Sequence, residues 1–376
     1  MKHTYRWITF ILAACLILVL VGCGGTNNST NNTSDNTSNP SQTEEGTRTI
    51  TDSTGRTVTI PETVESIVCV NVGALRYTCY MQAQDLVVGV EDYEQEPTMS
   101  RLYNYVNFDQ FSSLPVIGSN GEHYPEAIIS ANPDVIIMSA AESKDADDLQ
   151  DKTGIPVVVV PGSDTTLDDN AYETIRLMGE VYGKEERAEE LTNYLDSVKA
   201  DLETRTADIP DADKPTVYVG GVSFKGHHGF EGTEANYGPF VLIHANNLAD
   251  TTGQSGAFDI DTEQVLAWDP DVIFLDFNGM ALINEDYAKN PDFYQGLTAV
   301  REGRVYSQIS FRSSASNLET ALADAYYAAT ILYPEQFADI DPVEKAGEIF
   351  TALLGTNPYE DLKEAGYEFR PIQLGE

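Results

Sequence analysis

Short uninterrupted apolar runs recur along the chain, and the stretches between them carry apolar residues three and four positions apart. In the first half the runs are SIVCV (66–70), LVVGV (86–90), LPVIG (114–118), DVIIMSA (134–140) and PVVVV (156–160). They lack polar–apolar alternation, which predicts strands covered on both faces. Between them GALRYTCYM (73–81), a Tyr-rich stretch to about 107, YPEAIISAN (124–132) and ESKDADDLQ (142–150) read as helices, and TVTI (57–60) ahead of them reads as a hairpin strand. The second half repeats the scheme with TVYVGG (216–221), a polar loop holding two His, GPFVLIHANN (238–247), TEQVLAW (262–268), DVIFLDF (271–277), a helical segment near 285–290 and RVYSQI (304–309). Helices at 316–332 and 341–354 finish it. Strands alternating with helices in this way predict parallel sheets with helices on both faces.

Two stretches are written almost alike. EAIISANPDVIIM (126–138) and EQVLAWDPDVIFL (263–275) each place a Glu seven residues before Pro-Asp-Val-Ile. The repeat predicts equivalent helix-then-strand units in two similar lobes, 48–166 and 207–376. Residues 167–206 between them contain no Pro and keep Ile175, Met178, Val181, Tyr182, Leu191, Leu195, Val198 and Leu202 at three- and four-residue spacing. That spacing predicts one long amphipathic helix, with Gly179 and Gly183 as points where it bends. The expected fold is therefore α/β: two Rossmann-like lobes with parallel-type sheets, joined by one long rigid α-helix, with a ligand cleft between the lobes.

The first residues stand apart from this scheme. Lys2 and Arg6 precede the apolar run ITFILAACLILVLVG (8–22), which is short for a membrane span and the right length for a signal-peptide core. Leu20-Val21-Gly22-Cys23 resembles the lipobox of bacterial lipoproteins, and the resemblance implies cleavage after residue 22 and lipidation of Cys23. Residues 24–47 hold nothing able to enter a core and read as a disordered tether reaching on the order of 25–30 Å. The expected location is outside the cytoplasm, anchored to the membrane by lipid.

Charge narrows the partners. The chain has 22 basic and 60 acidic side chains, a net charge of −38. Without the first 22 residues, which carry two basic and no acidic groups, the charge is −40. Nucleic acid is excluded, because phosphate binding needs a clustered positive footprint. Of the four Cys, Cys15 and Cys23 belong to the leader and anchor, so Cys69 and Cys79 are expected as buried free thiols. The sequence carries no G-x-S-x-G elbow, no P-loop, no H-E-x-x-H and no G-x-G-x-x-G after a strand. A binding module is expected, not an enzyme; a non-transport sensor or an α/β enzyme is the remote alternative.

The opening TITDSTGRTVTIPETVESIVCV (49–70), LVVGVE (86–91), the paired E-x6-PDVI units and RLMGEVYGKEERAEEL (176–191), in this order, carry a family resemblance. From residue 48 onward the chain resembles the substrate-binding lipoproteins of ABC importers in the iron-siderophore, haem and cobalamin group, the class III periplasmic binding proteins. The resemblance implies capture of a small-molecule metal chelate, with a ferric siderophore first among cargoes; haem, cobalamin or an oxyanion such as molybdate are the alternatives. It also implies a monomer without a resident cofactor, serving a permease dimer with its ATPase. In that family a Glu on each lobe docks into Arg pockets of the permease, and the matching positions are Glu126 and Glu263. A Glu in the first turn of a helix also complements the helix dipole, so a purely structural role stays open.

Ligands of open α/β sheets bind beyond the carboxyl ends of strands. Residues following each strand run give Asn71, Arg76, Tyr93, Ser119, Asn120 and Ser139 in the first half. The second half gives Phe224, Lys225, His227, His228, Phe230, Tyr237, Asp276, Phe311 and Arg312. Arg76, Lys225 and Arg312, in a chain poor in cations, suggest an anionic cargo, and Tyr93, Phe224, Phe230, Tyr237 and Phe311 suggest a large flat one. His227 and His228, with His123 from the opposite lobe, are the candidate metal ligands; adjacent side chains point apart, so a polar lining role competes with coordination.

Overall fold

The computed structural model describes residues 46–119, 121–162 and 166–375. An antiparallel hairpin opens it, β1 (Thr47–Thr51) against β2 (Thr57–Pro61). The first sheet is built from β3 (Ile67–Val70), β4 (Val87–Glu91), β5 (Val116–Ser119), β6 (Glu122–His123), β7 (Val135–Ser139) and β8 (Val157–Val160). Its strand order is β6-β5-β4-β3-β7-β8, parallel except for the β5–β6 pair. β3, β7 and β8 are buried at every position, the outcome their unbroken apolar runs demand.

The second half contains β9 (Thr216–Gly220), β10 (Gly232–Ala235), β11 (Asn246–Asn247), β12 (Gly256–Asp259), β13 (Val272–Asp276) and β14 (Val305–Gln308). Four of them form a parallel sheet in the order β11-β9-β13-β14. The other two, β10 and β12, make a separate antiparallel ribbon that the hydrophobic pattern does not announce, since GTEA and GAFD hold few apolar residues.

The repeated stretches build the same joint twice. Helix Pro125–Ala131 ends at Asn132 and helix Thr262–Trp268 ends at Asp269, both in the left-handed region (φ 53° and 45°), and a Pro follows each. The next Asp then stitches the unit to the neighbouring strand. Asp134 Oδ2 accepts from Glu65 N and Ser66 N (2.8 and 2.9 Å) ahead of β3. Asp271 Oδ2 accepts from Thr216 N and Thr216 Oγ1 (2.8 and 2.7 Å) at the start of β9. In return, Asp134 N donates to Ser66 Oγ and Asp271 N to Thr216 Oγ1. Pro-Asp is thus a reciprocal clamp between a helix exit and a central strand.

The connector differs from the single rod the periodicity predicts. Helix Asp169–Tyr182 stops at Gly183 (φ 63°), and a second helix of 22 residues, Glu185–Thr206, starts after Lys184. Gly183 supplies the left-handed residue that closes a helix, so the chain turns where a bend was expected. The two helices cross closely at Gly179, where an added Cβ would come within 2.6 Å of the Ala188 Cβ.

The second helix carries the chain from one half to the other. At its start Arg187 donates to Tyr80 O (2.9 Å) of helix Ala74–Tyr80 and to Ala352 O of helix Pro342–Leu354; at its end Arg205 pairs with Asp339 (2.7 Å). Twenty-two residues of helix span about 33 Å.

The terminal helices do not stay with the second lobe. Gln82 Nε2 donates to Leu353 O (3.3 Å), and one apolar core runs without interruption from Ile67 and Val135 of the first sheet through Phe350 and Leu353 of helix Pro342–Leu354 to Val217 and Phe274 of the second. Cys69 and Cys79 lie in this core as free thiols, and burial pushes the Cys69 thiol up to about 12. Among the described residues no helix is long and apolar enough to cross a membrane.

Candidate ligand-binding site

Beyond the carboxyl ends of β9 and β13 lies a cavity of about 980 Å3. The loop after β9 supplies Ser223, Phe224, Lys225 and His227, and the β10–β12 ribbon supplies Glu234, Phe258 and Asp259. Asn278 closes the end of β13, Arg312 to Ala315 follow β14, and Thr166 comes from the segment leaving the first lobe. A volume at the upper end of ordinary small-molecule sites suits a bulky cargo.

Charge along the wall is balanced. Arg312 Nε donates to Glu234 Oε2 (2.6 Å) and Nη2 to Oε1, a bidentate pair in which the Glu234 side chain is only 2% exposed. Burial drives the Glu234 carboxyl above the ordinary range and Arg312 opposes that shift. Lys225 is exposed and sits at φ 51°, at the tip of a tight turn closed by Phe224 N donating to Gly226 O (3.1 Å). Among the described residues no carboxylate pairs with its ammonium, whereas Arg312 is largely occupied with Glu234. The anionic cargo inferred from three cations therefore rests chiefly on Lys225.

Arg76 is placed elsewhere. Its guanidinium is buried between the lobes, with Nε donating to Asn317 Oδ1 (2.9 Å), Nη2 donating to Ser313 O (3.0 Å) and to Ser314 O, and the group standing 5.0 Å from the Tyr103 ring centre. Asn317 Nδ2 in turn donates to Ser100 O (3.1 Å), and Ser100 Oγ donates to Asn278 Oδ1 (2.9 Å). These groups are a strut between the two halves. They fix the 313–315 loop, in which Ser314 and Ala315 have φ of 52° and 67°, where it forms the cavity wall.

Several aromatic candidates lie in the core. Phe230 packs on Tyr218 and Tyr294, and Tyr237 is wedged between Phe240 and Phe311; all three candidates, Phe230, Tyr237 and Phe311, are at most 2% exposed. Asp276 is likewise buried, capping a short turn by accepting from Asn278 N (2.9 Å) and Ser310 Oγ, and burial pushes its carboxyl up to about 7. Phe224 does reach the wall, with its ring stacked on His228 at 3.8 Å. His227 lines the cavity and His228 does not.

The first-lobe candidates form their own cluster at the ends of β3, β5 and β7. Asn71 (φ 64°) donates to Ser139 O (2.9 Å) and meets His123 Nε2 at 3.0 Å, while Ser139 Oγ is buried with no hydrogen-bond partner among the described residues. Ser119 Oγ donates to Asp92 Oδ2 (2.6 Å), and the Tyr93 ring lies 5.0 Å below the Arg101 guanidinium. Beside them Glu91 is pushed up to about 7 by burial and by the charge of Glu94. None of these residues lines the 980 Å3 cavity. Asn120 and Cys23 lie outside the described residues. The sequence reading missed Thr166, Glu234, Phe258 and Asp259; a clue to the last three lay in the Gly residues at 232 and 256 that start both ribbon strands.

Comparison with known proteins agrees with this architecture. The model of a family described as periplasmic binding protein matches residues 70–308. The Fe(3+)-citrate-binding protein YfmC of Bacillus subtilis is 24% identical over 302 residues, 80% of this chain and 87% of its own length. The molybdate-binding protein MolA of Haemophilus influenzae is 23% identical over 317 residues, 78% of this chain and 87% of its own. An ABC transporter solute binding protein from Sulfurospirillum deleyianum superposes with a TM-score of 0.66 at 24% identity, over 84% of this chain and 98% of that one. Two largely parallel sheets bridged by a 22-residue helix, a cavity of about 980 Å3 at strand ends and a family match over most of both halves lead to one conclusion: the chain belongs to the periplasmic binding protein family.

Proposed function

We propose that the protein captures an iron complex, a ferric siderophore before other chelates, and hands it to the permease of an ABC importer while held to the membrane by lipid on Cys23. The cavity carries this reading: about 980 Å3 with Lys225, His227, Phe224 and Phe258 on its wall offers an ammonium, an imidazole and two rings to a bulky chelate with peripheral acceptors, beside the Arg312–Glu234 pair. A bare oxyanion would leave most of that space and both rings unused.

Docking is assigned to Glu126 and Glu263. Both are exposed, both stand in the first turn of the repeated helix, and one turn on each is followed by an exposed aliphatic side chain, Ile129 (47%) and Leu266 (38%). Matching carboxylate-and-aliphatic patches on two lobes suit a partner built from two equivalent subunits.

The test is a thermal-shift panel of ferric catecholate, ferric hydroxamate, ferric citrate, haem, cobalamin and molybdate. A ferric complex is expected to raise Tm, and Lys225→Ala or Phe224→Ala to reduce that rise. A shift with molybdate and with none of the iron complexes defeats the reading.

A further inference from the structure

We propose that His228 Nδ1, Glu231 and Asp259 form a binding site for a divalent transition-metal cation at the margin of the cavity, where Asp259 reaches the wall. Their ligand atoms lie within 4.8 Å of one another. The three come from the loop after β9 and from the end of β12, so the site joins two separate pieces of the wall.

The tautomer of His228 carries the argument. Its Nε2 lies 2.8 Å from the carbonyl oxygen of Phe224, an atom that only accepts, so Nε2 must hold a hydrogen. In a neutral ring Nδ1 is then a bare lone pair, and it faces Asp259 Oδ1 at 2.7 Å. Two lone pairs do not approach so closely without a positive charge between or beside them. Either a second proton on the ring or a metal ion supplies it. A proton would satisfy Asp259 alone, whereas Glu231 also converges on the same point, with its Oε1 steadied by Gly229 N at 3.2 Å. One imidazole nitrogen, two carboxylates from different elements and an N–H donated to a backbone carbonyl on the far side of the ring are the first and second shells of a transition-metal site. The mixed nitrogen and oxygen donors fit Zn2+ or Ni2+ better than Ca2+ or Mg2+, which take oxygen ligands. Asp259 is half exposed and His228 one-fifth exposed, which leaves a route for the ion and room for water to complete its coordination.

A cation here has a mechanical consequence. The His228 ring is stacked on Phe224, and Phe224, Lys225 and His227 line the cavity. Binding locks that loop to β12 and stiffens the wall, whatever the cargo proves to be.

The experiment is calorimetric titration of ZnCl2 into the full-length protein freed of metal with EDTA and desalted, with melting curves alongside. One strong site per chain is expected, with a Tm gain of about 2–5 °C at saturating zinc. The double variant Glu231→Gln with Asp259→Asn, and separately His228→Gln, should weaken zinc binding by more than about 30-fold, while Glu285→Gln, an exposed acid elsewhere, should not. Should a variant fold poorly, nitrogen NMR of the wild-type His228 ring decides the matter. A zinc-dependent shift at Nδ1 with Nε2 still protonated supports the site. Absence of a strong site, persistence of one in the variants, or a ring protonated on both nitrogens with zinc present overturns it.

Discussion

Replacing Arg76 with Ala tests whether this residue is a strut or a ligand contact. In the structure its guanidinium makes three hydrogen bonds to Asn317, Ser313 and Ser314 across the two halves and stacks over Tyr103, while being 1% exposed. Hydrogen bonds from a charged donor contribute about 1.5–3 kcal/mol each in mutational series, but they are shared here and part of the gain repays burial of the charge. Glu319 sets the other side of the balance. Buried and bonded by Tyr80 Oη, it is held above the usual carboxylate range by desolvation, and Arg76 opposes that shift. Without the cation the carboxyl moves further up and the three acceptors lose their donor. Breaking a buried charged network from one side costs about 3–5 kcal/mol, the loss expected for Arg76→Ala. Urea unfolding followed by circular dichroism measures it, with Lys225→Ala as a control expected to stay within about 0.5 kcal/mol. Cargo affinity should respond the other way round, falling more for Lys225→Ala. An Arg76→Ala protein within about 1 kcal/mol of wild type that has lost cargo binding would refute the strut.

Three further outcomes follow from the same structure. Gly179→Ala should destabilise by about 1 kcal/mol in urea unfolding, because the 2.6 Å approach to the Ala188 Cβ outweighs the gain of about 1 kcal/mol in helix propensity; a stabilised variant would contradict the close crossing. The Asp276 carboxyl is raised to about 7 in the folded protein against 3.8 ordinarily, so the stability it contributes is complete below pH 4 and is lost as pH rises through 7. Asp276→Asn should therefore gain on wild type by about 2–4 kcal/mol between pH 4 and 8, and a pH-independent difference between the two would count against the burial argument. Charge reversal at Glu126 and Glu263 together should abolish uptake by cells while cargo affinity and Tm stay unchanged, since both side chains are exposed; equal loss of affinity would remove them from the docking surface.

Much of the architecture was legible because its signals are local. IVCV and VVVV admit few outcomes other than strands covered on both faces, and they are buried throughout. The doubled Pro-Asp-Val-Ile was readable as a repeat, although its cause, an Asp clamping the neighbouring strand, shows only in the hydrogen bonds of Asp134 and Asp271. The connector shows the limit of periodicity. The apolar spacing continues across Gly183 because both helices bury a face on the same core, and the left-handed turn between them leaves no mark on that spacing.

What the chain wrote locally, then, is the alternation of buried strands and amphipathic helices, its division into two halves and the free buried thiols, because burial of contiguous apolar residues is decided within a few positions. What the tertiary structure alone decided is which polar side chains meet. Arg76 finds its acceptors more than 230 residues away, and Arg312 finds Glu234 across 78. The ribbon that supplies Glu234 and Asp259 has too little apolar character to be seen in advance. A charged group settles where its desolvation is repaid by a partner, and that partner is brought into place only when distant strands and loops have packed.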